Sequence, residues 1–278
     1  MRMRPAIGWG VFLLLIAIIA NHVPAGLGSF YFIKGKRLAA SGDHQGAVQA
    51  YQQSINSDPN FARTYVELGM SYLNLEKYAE AEGAFKQATA IDDDSCARCG
   101  LGMVYHRQGR ENEAVKTLKK GISLNPTDTC PYDQLGRMHY DLGQYAESIE
   151  AFRQEIKLQP SSVAYHFLGN SYYFTGKLED ALSAYQEAAR LTPNYEEAYL
   201  ELGKVYNRLG CHANAIESYQ HALKLQPDDV NAHMGLGLTE FKQGNKDAAI
   251  RQYRILRDLD PKWAERLLKE IKGQQSHY

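Results

Sequence analysis

The chain has 278 residues, 44% hydrophobic and 23% charged, with a formal net charge of −1. That is an ordinary globular balance. The near-neutral charge does not favour nucleic acid as a general partner, and none is expected, because such a partner calls for a basic face.

Residues 1–27 stand apart. Met1-Arg2-Met3-Arg4-Pro5 is basic, residues 6–20 are apolar, and no Asp, Glu, Lys or Arg occurs from residue 5 through residue 33. This pattern predicts engagement with the membrane insertion machinery, and it leaves several outcomes open. A cleaved signal segment has the basic start, the apolar core and a small-residue cleavage site at Val23-Pro24-Ala25. A retained transmembrane anchor needs at least ~17 apolar residues, and residues 8–24 are long enough. A helix capping the rest of the chain is a third outcome. No Cys lies near the junction, so a lipoprotein anchor is excluded. Arg2 and Arg4 predict a cytoplasmic amino terminus and an extracytoplasmic remainder, although Lys34, Lys36 and Arg37 place positive charge on the other flank as well. The expected location is therefore a single-pass membrane protein, or a secreted or periplasmic chain after cleavage.

From residue 28 the chain repeats itself. A Leu-Gly-x-x-Tyr word appears at Leu68-Gly69 to Tyr72, Leu101-Gly102 to Tyr105, Leu168-Gly169 to Tyr172 and Leu202-Gly203 to Tyr206. Leu135-Gly136 reaches His139, Leu236-Gly237 reaches Glu240, and Lys34-Gly35 followed by Leu38 is a degenerate first copy. The marker glycines at 35, 69, 102, 136, 169, 203 and 237 step by 33 or 34 residues, which is the signature of a repeat array. Twelve residues after each comes Ala47, Ala81, Ala114, Ser148, Ala181, Ala215 or Ala249, and four further on Tyr51, Phe85, Leu118, Phe152, Tyr185, Tyr219 or Tyr253. Pro59, Asp93, Pro126, Pro160, Pro193, Pro227 or Pro261 closes the unit.

Each unit holds two segments with apolar residues three and four apart, as in residues 62–75 and 78–91. Gly42, Gly109, Gly143, Gly176, Gly210 and Gly244 fill the turn between them, as a left-handed helix end requires; only Glu76 departs. The marker Gly and the small Ala predict close helix approach, with the Tyr or Phe filling the space between neighbours. One pair cannot bury its own apolar face, so stacking has to supply the core.

These words resemble the tetratricopeptide repeat, and the resemblance covers residues 28–263. It implies an all-α right-handed superhelix (an α-solenoid) of about seven helix pairs, with repeats at 28–61, 62–94, 95–128, 129–161, 162–195, 196–229 and 230–263. Residues 264–278 are expected to hold a capping helix, built on Trp263, Leu267, Leu268 and Ile271, and a frayed tail.

Nothing in the chain carries a catalytic signature. It has no Walker glycine loop, no Gly-x-Ser-x-Gly and no His-Glu-x-x-His. The glycines sit at repeat positions, and Asp92-Asp93-Asp94 reads as a solvated turn and cap. No enzyme activity, cofactor or metal is expected. The cysteines leave alternatives open. In the family, first helices line the concave side, and Cys96, Cys99 and Cys130 fall at lining places of adjacent repeats. Cys99 or Cys96 bridges to Cys130, or the three build a thiol or metal site, or they have no role. Cys211 is read as solitary.

Binding remains. The resemblance implies a non-enzymatic scaffold with a partner peptide or segment in the concave groove, for which assembly of an envelope or secretion complex is one setting. The lining places give Met103, His106 and Arg107 in the third repeat and Asp133, Arg137, Tyr140 and Asp141 in the fourth. The fifth gives Val163, His166, Asn170, Tyr173 and Phe174, and the sixth Glu197, Leu200, Lys204, Asn207 and Arg208. Aromatics with Arg are what a binding patch enriches. The Lys-Asn-Asn-Lys-Arg clamp of some co-chaperones is not matched, because His166 with Asn170 is its nearest approach and Glu201 stands where the clamp has Asn. A self-associating structural array is the main alternative.

Overall fold

The computed structural model describes residues 26–275. All regular elements among them are helices. They are α1 (Leu27–Ala40), α2 (His44–Ser57), α3 (Ala62–Asn74), α4 (Tyr78–Ile91), α5 (Ser95–Arg107), α6 (Glu111–Leu124), α7 (Cys130–Asp141) and α8 (Tyr145–Leu158). There follow α9 (Ser162–Phe174), α10 (Leu178–Leu191), α11 (Glu196–Arg208), α12 (His212–Leu225), α13 (Val230–Lys242), α14 (Lys246–Leu259) and α15 (Pro261–Gln275). The described residues pack as two units, divided between Pro131 and Tyr132.

Three local rules build each pair. The first is the turn. The predicted turn glycines have φ between 70° and 85°, a backbone that residues with a side chain adopt only at a penalty of roughly 1–2 kcal/mol. Glu76 adopts it without being glycine, at φ 58°. The amide of Lys77 donates to the Tyr72 carbonyl (2.9 Å) and that of Glu76 to Leu73 (3.0 Å), closing the end of α3.

The second rule is the exit. Each second helix ends on an extended residue: Asp58, Asp92, Asn125, Gln159, Thr192, Gln226 or Asp260, with φ between −150° and −130°. Six of these precede proline, whose ring excludes the helical conformation for its predecessor. Asp92 adopts the same geometry with Asp93 after it, and Asp94 then caps α5 by accepting the Ala97 amide at 2.7 Å.

The third rule is the seam. A methyl added at Gly69 would lie 2.8 Å from the Phe85 ring, and one at Gly169 2.6 Å from Tyr185. The marker glycine thus exists to admit the aromatic residue of its partner helix. Those rings are the core of each unit: Tyr51 and Phe85 in the first, Phe152 and Tyr185 in the second, all fully buried. Each contributes ~1.5–3 kcal/mol by burial. α15 closes the second unit in the same way. Leu267 is fully buried against Met234, Leu256 and Ala264, and a methyl at Gly237 would meet it at 2.9 Å. The helix continues through residues 273–275, where the sequence predicts a frayed tail.

The predicted membrane placement needs correction. Among the described residues no helix is long and apolar enough to cross a membrane. α1 has 14 residues and contains Lys34, Lys36 and Arg37, and a helix of that length spans only about 21 Å. The apolar residues 6–20, on which that expectation rested, lie outside the described residues.

Candidate functional site

The expected lining residues fall into two groups, one in each unit. In the first unit Met103 is half-buried and Arg107 exposed. The His106 Nδ1 lies 3.0 Å from a Glu111 carboxylate oxygen. Cys99 does not face the open side: it is 1% exposed and joined to Cys130 by a disulfide. That bond closes a loop of 31 residues, a constraint on the unfolded chain equivalent to about 3–4 kcal/mol. A thiol or metal site on Cys96, Cys99 and Cys130 is thereby reduced to one thiol. Cys96 opens on a cavity of about 560 Å³ beside Phe61, Arg63 and Glu67. Loss of solvation, then the Asp94 and Asp128 carboxylates, push its thiol up, away from the reactive thiolate. Cys211 is free and exposed.

In the second unit the lining residues converge. Phe174, at the end of α9, is 55% exposed. Its ring stacks on Tyr145 at 5.0 Å and meets the edges of Tyr140 and Tyr173 at 5.9 and 5.8 Å. Two guanidinium groups lie on neighbouring rings: Arg137 over Phe167 at 4.4 Å and Arg208 over Tyr173 at 4.7 Å. Arg137 also donates to Asp133 at 2.7 Å, one turn earlier on α7. Lys204 donates to Glu201 at 2.6 Å, and the Asn207 side-chain carbonyl oxygen accepts from His212 Nδ1 at 3.1 Å. A rigid aromatic floor bearing two cations presents large contact area at small entropic cost.

Beneath this floor runs a polar chain. The buried Tyr185 hydroxyl donates to the Asn170 carbonyl oxygen at 2.6 Å. The Asn170 amide is then left to donate to His166 Nε2 at 3.3 Å, so Nδ1 carries the proton and donates to the Tyr195 oxygen at 2.8 Å. Burial lowers the proton affinity of His166, which keeps the ring neutral as this chain requires. Burial also raises Tyr195 to about 12, so its hydroxyl stays protonated.

The His166 ring lies 5.6 Å from Phe167, which carries Arg137, so His166, Asn170, Tyr173 and Phe174 are tied to Arg137, Tyr140 and Arg208 through contacts that the lining places alone do not show. Tyr145, Phe167 and Tyr195 are the members that sequence reasoning missed. Tyr145 and Tyr195 lie outside the lining places, just where a second helix and the next repeat begin. A large aromatic residue at such a boundary is the signal that could have found them.

Comparison with known proteins bears on the repeats themselves. Models described as "Tetratricopeptide repeat" match residues 38–101, 97–128 and 131–162, and one described as "TPR repeat" matches 169–210 and 209–244. The repeats are tetratricopeptide repeats. Among curated relatives, the Caenorhabditis elegans "Cell division cycle protein 27 homolog" is 26% identical over 34% of this chain and 12% of its own length. "Superkiller protein 3" of Schizosaccharomyces pombe is 22% identical over 53% of this chain and 11% of its own. The chain thus spans only about an eighth of the length of these relatives. Among solved structures, the C-terminal part of a TPR repeat-containing protein from Cytophaga hutchinsonii aligns over 86% of this chain and 99% of its own, with a TM-score of 0.67 at 18% identity. Pseudomonas aeruginosa pilF aligns over 75% and 97%, with a TM-score of 0.65 at 17% identity. The APC/C hetero-tetramer Cut9-Hcn1 aligns over 94% and 52%, with a TM-score of 0.65 at 22% identity. These likenesses establish the fold.

Proposed function

We propose that this tetratricopeptide array is a non-enzymatic scaffold that holds an extended segment of a partner protein on the second unit's first-helix face, as a subunit of a larger assembly. The observation that carries the reading is the exposed Phe174 ring within the Tyr140–Tyr145–Tyr173 cluster, flanked by Arg137 and Arg208. Half-exposed aromatics are costly to leave in water, and aromatic and Arg side chains dominate protein interfaces. The relatives support an assembly role by their kind, since one solved neighbour is itself a subunit in an APC/C hetero-tetramer.

The test is a peptide selected from a displayed random library on the full chain. Arg137→Ala combined with Tyr173→Ala should weaken it at least ~100-fold, the scale of two lost interface anchors, with helicity unchanged. Unchanged affinity would put the partner on another face.

A second reading, self-association, is favoured by Leu27, Phe30 and Ile33, which leave an apolar strip exposed along α1. Sedimentation of the full chain over a wide concentration range decides it: a constant monomer mass rejects self-association.

A further inference from the structure

Nineteen residues after the marker glycine, the repeats carry Ser54, Ala88, Gly121, Glu155, Ala188, Ala222 and Leu256. The place is a wedge between a second helix and the first helices on either side. Ser54 shows its polar lining, donating to the Gly28 carbonyl at 2.9 Å and lying 3.3 Å from the Thr64 hydroxyl. Gly121 shows its tightness: an added methyl there would lie 3.3 Å from Arg98 and from Pro131. In this series of small or apolar residues one repeat places an acid. Glu155 on α8 is 8% exposed, and its Oε2 is buried with no hydrogen-bond partner. Where Ser54 meets Thr64, the matching residue of α9 is the fully buried Ala164, which offers no donor.

Charges reach Glu155 from α7. Asp133 raises its proton affinity and Arg137 lowers it, and these two are already paired with each other at 2.7 Å. From α9 the neutral His166 is committed to Tyr195 and Asn170. Burial, the largest influence, pushes the acid up to about 7. A buried carboxylate without a partner is unstable, so on ionisation it has to find a cation or open the wedge. Arg137 is the cation at hand.

We propose that Glu155 is a proton-operated latch on the candidate binding face: the protonated acid seats in the wedge and leaves Arg137 on Asp133, and loss of the proton draws Arg137 from Asp133 to Glu155. Its consequence for a partner rests on the groove reading above, since Arg137 lies on that face; the latch itself does not. The sign follows from linkage. The folded acid keeps its proton up to about pH 7, whereas the unfolded one releases it near its ordinary value of 4.5. This group therefore favours the folded second unit at low pH, and that support is lost as pH rises from 4.5 through 7.

The experiment is a carboxyl-carbon NMR titration of the full chain carrying 13C-glutamate, with no peptide present, so its failure is separable from failure of the groove. Loss of solvation, then the neighbouring Asp229, also raises Glu196 to about 7, so Glu155→Gln and Glu196→Gln assign the two signals. The expected result is a near-neutral titration lost in Glu155→Gln and kept in Glu196→Gln. Amide exchange in α7–α9, corrected for intrinsic base catalysis, should speed up by at least ~10-fold between pH 5.5 and 8.5 in the wild type and stay flat in Glu155→Gln. Asp133→Asn, which removes the competing anion, should move the Glu155 titration down. Should Glu155→Gln fail to fold, Glu155→Ala installs the residue that the following repeat carries at this place, Ala188. A Glu155 signal titrating at the ordinary glutamate value of 4.5, or Glu155 variants as pH-dependent as the wild type, would overturn the proposal.

Discussion

Tyr51 in the first unit and Tyr185 in the second occupy the same place in their repeats. Both rings are fully buried, and both fill the space left by a marker glycine, Gly35 or Gly169, where a methyl would come within 2.5 and 2.6 Å. Their hydroxyls differ. That of Tyr51 is buried without a partner, whereas that of Tyr185 donates to Asn170 and starts the chain through His166 to Tyr195. The first-helix residue matching Asn170 is Lys36 in the first repeat, which lies near the Phe32 ring instead. The repeat dictates the ring, and the first-helix face dictates what happens at its end. Burial shifts both phenols upward, so neither hydroxyl ionises at physiological pH.

If the rings are equivalent, Tyr51→Ala and Tyr185→Ala should each destabilise their unit by about 3–5 kcal/mol, read as a fall in the urea midpoint. A small effect at either would break the equivalence. Gly35→Ala and Gly169→Ala attack the same seam from the other side and should each cost about 1–3 kcal/mol, because the opposing ring is boxed in. The hydroxyls should then separate the two places. Tyr185→Phe leaves the Asn170 carbonyl unpaired and should cost about 1–3 kcal/mol, whereas Tyr51→Phe removes an unpaired buried group and should be neutral or stabilising. Equal losses from both would show that the polar chain adds nothing. The smallest change sharpens the turn side of the comparison. Glu76→Gly gives the second repeat the glycine that the others use, and should raise the stability of the first unit by about 1 kcal/mol.

The seams were legible in the sequence because each is a short-range rule repeated in phase. Gly69 with Phe85 and Gly169 with Tyr185 obey the same spacing, so one unit predicts the next. Glu76 shows how far such rules reach: the turn keeps its left-handed geometry although the residue is not glycine, since the packed helices on both sides dictate the backbone. The face was legible only as a set of places. Asn170 and His166 could be read as exposed lining, but their commitment to Tyr185 and Tyr195 joins a second helix to the next repeat's first. Cys99 has a lining number yet is buried, as Leu200 and Met234 are at the same place, and its bond to Cys130 reaches the next repeat's first helix. Glu155 was legible in principle as an acid in a small-residue place, and only its burial shows why that matters.

The central claim is that the non-repeating first-helix face of the second unit, rather than the repeated outer surface, receives the partner. A photoreactive benzoylphenylalanine replacing Phe174 tests it most directly, against the same group replacing the exposed Ser183 on α10. With the selected peptide bound, the probe at 174 should crosslink to it and the probe at 183 should not. Crosslinking from 183 and none from 174 would contradict the account.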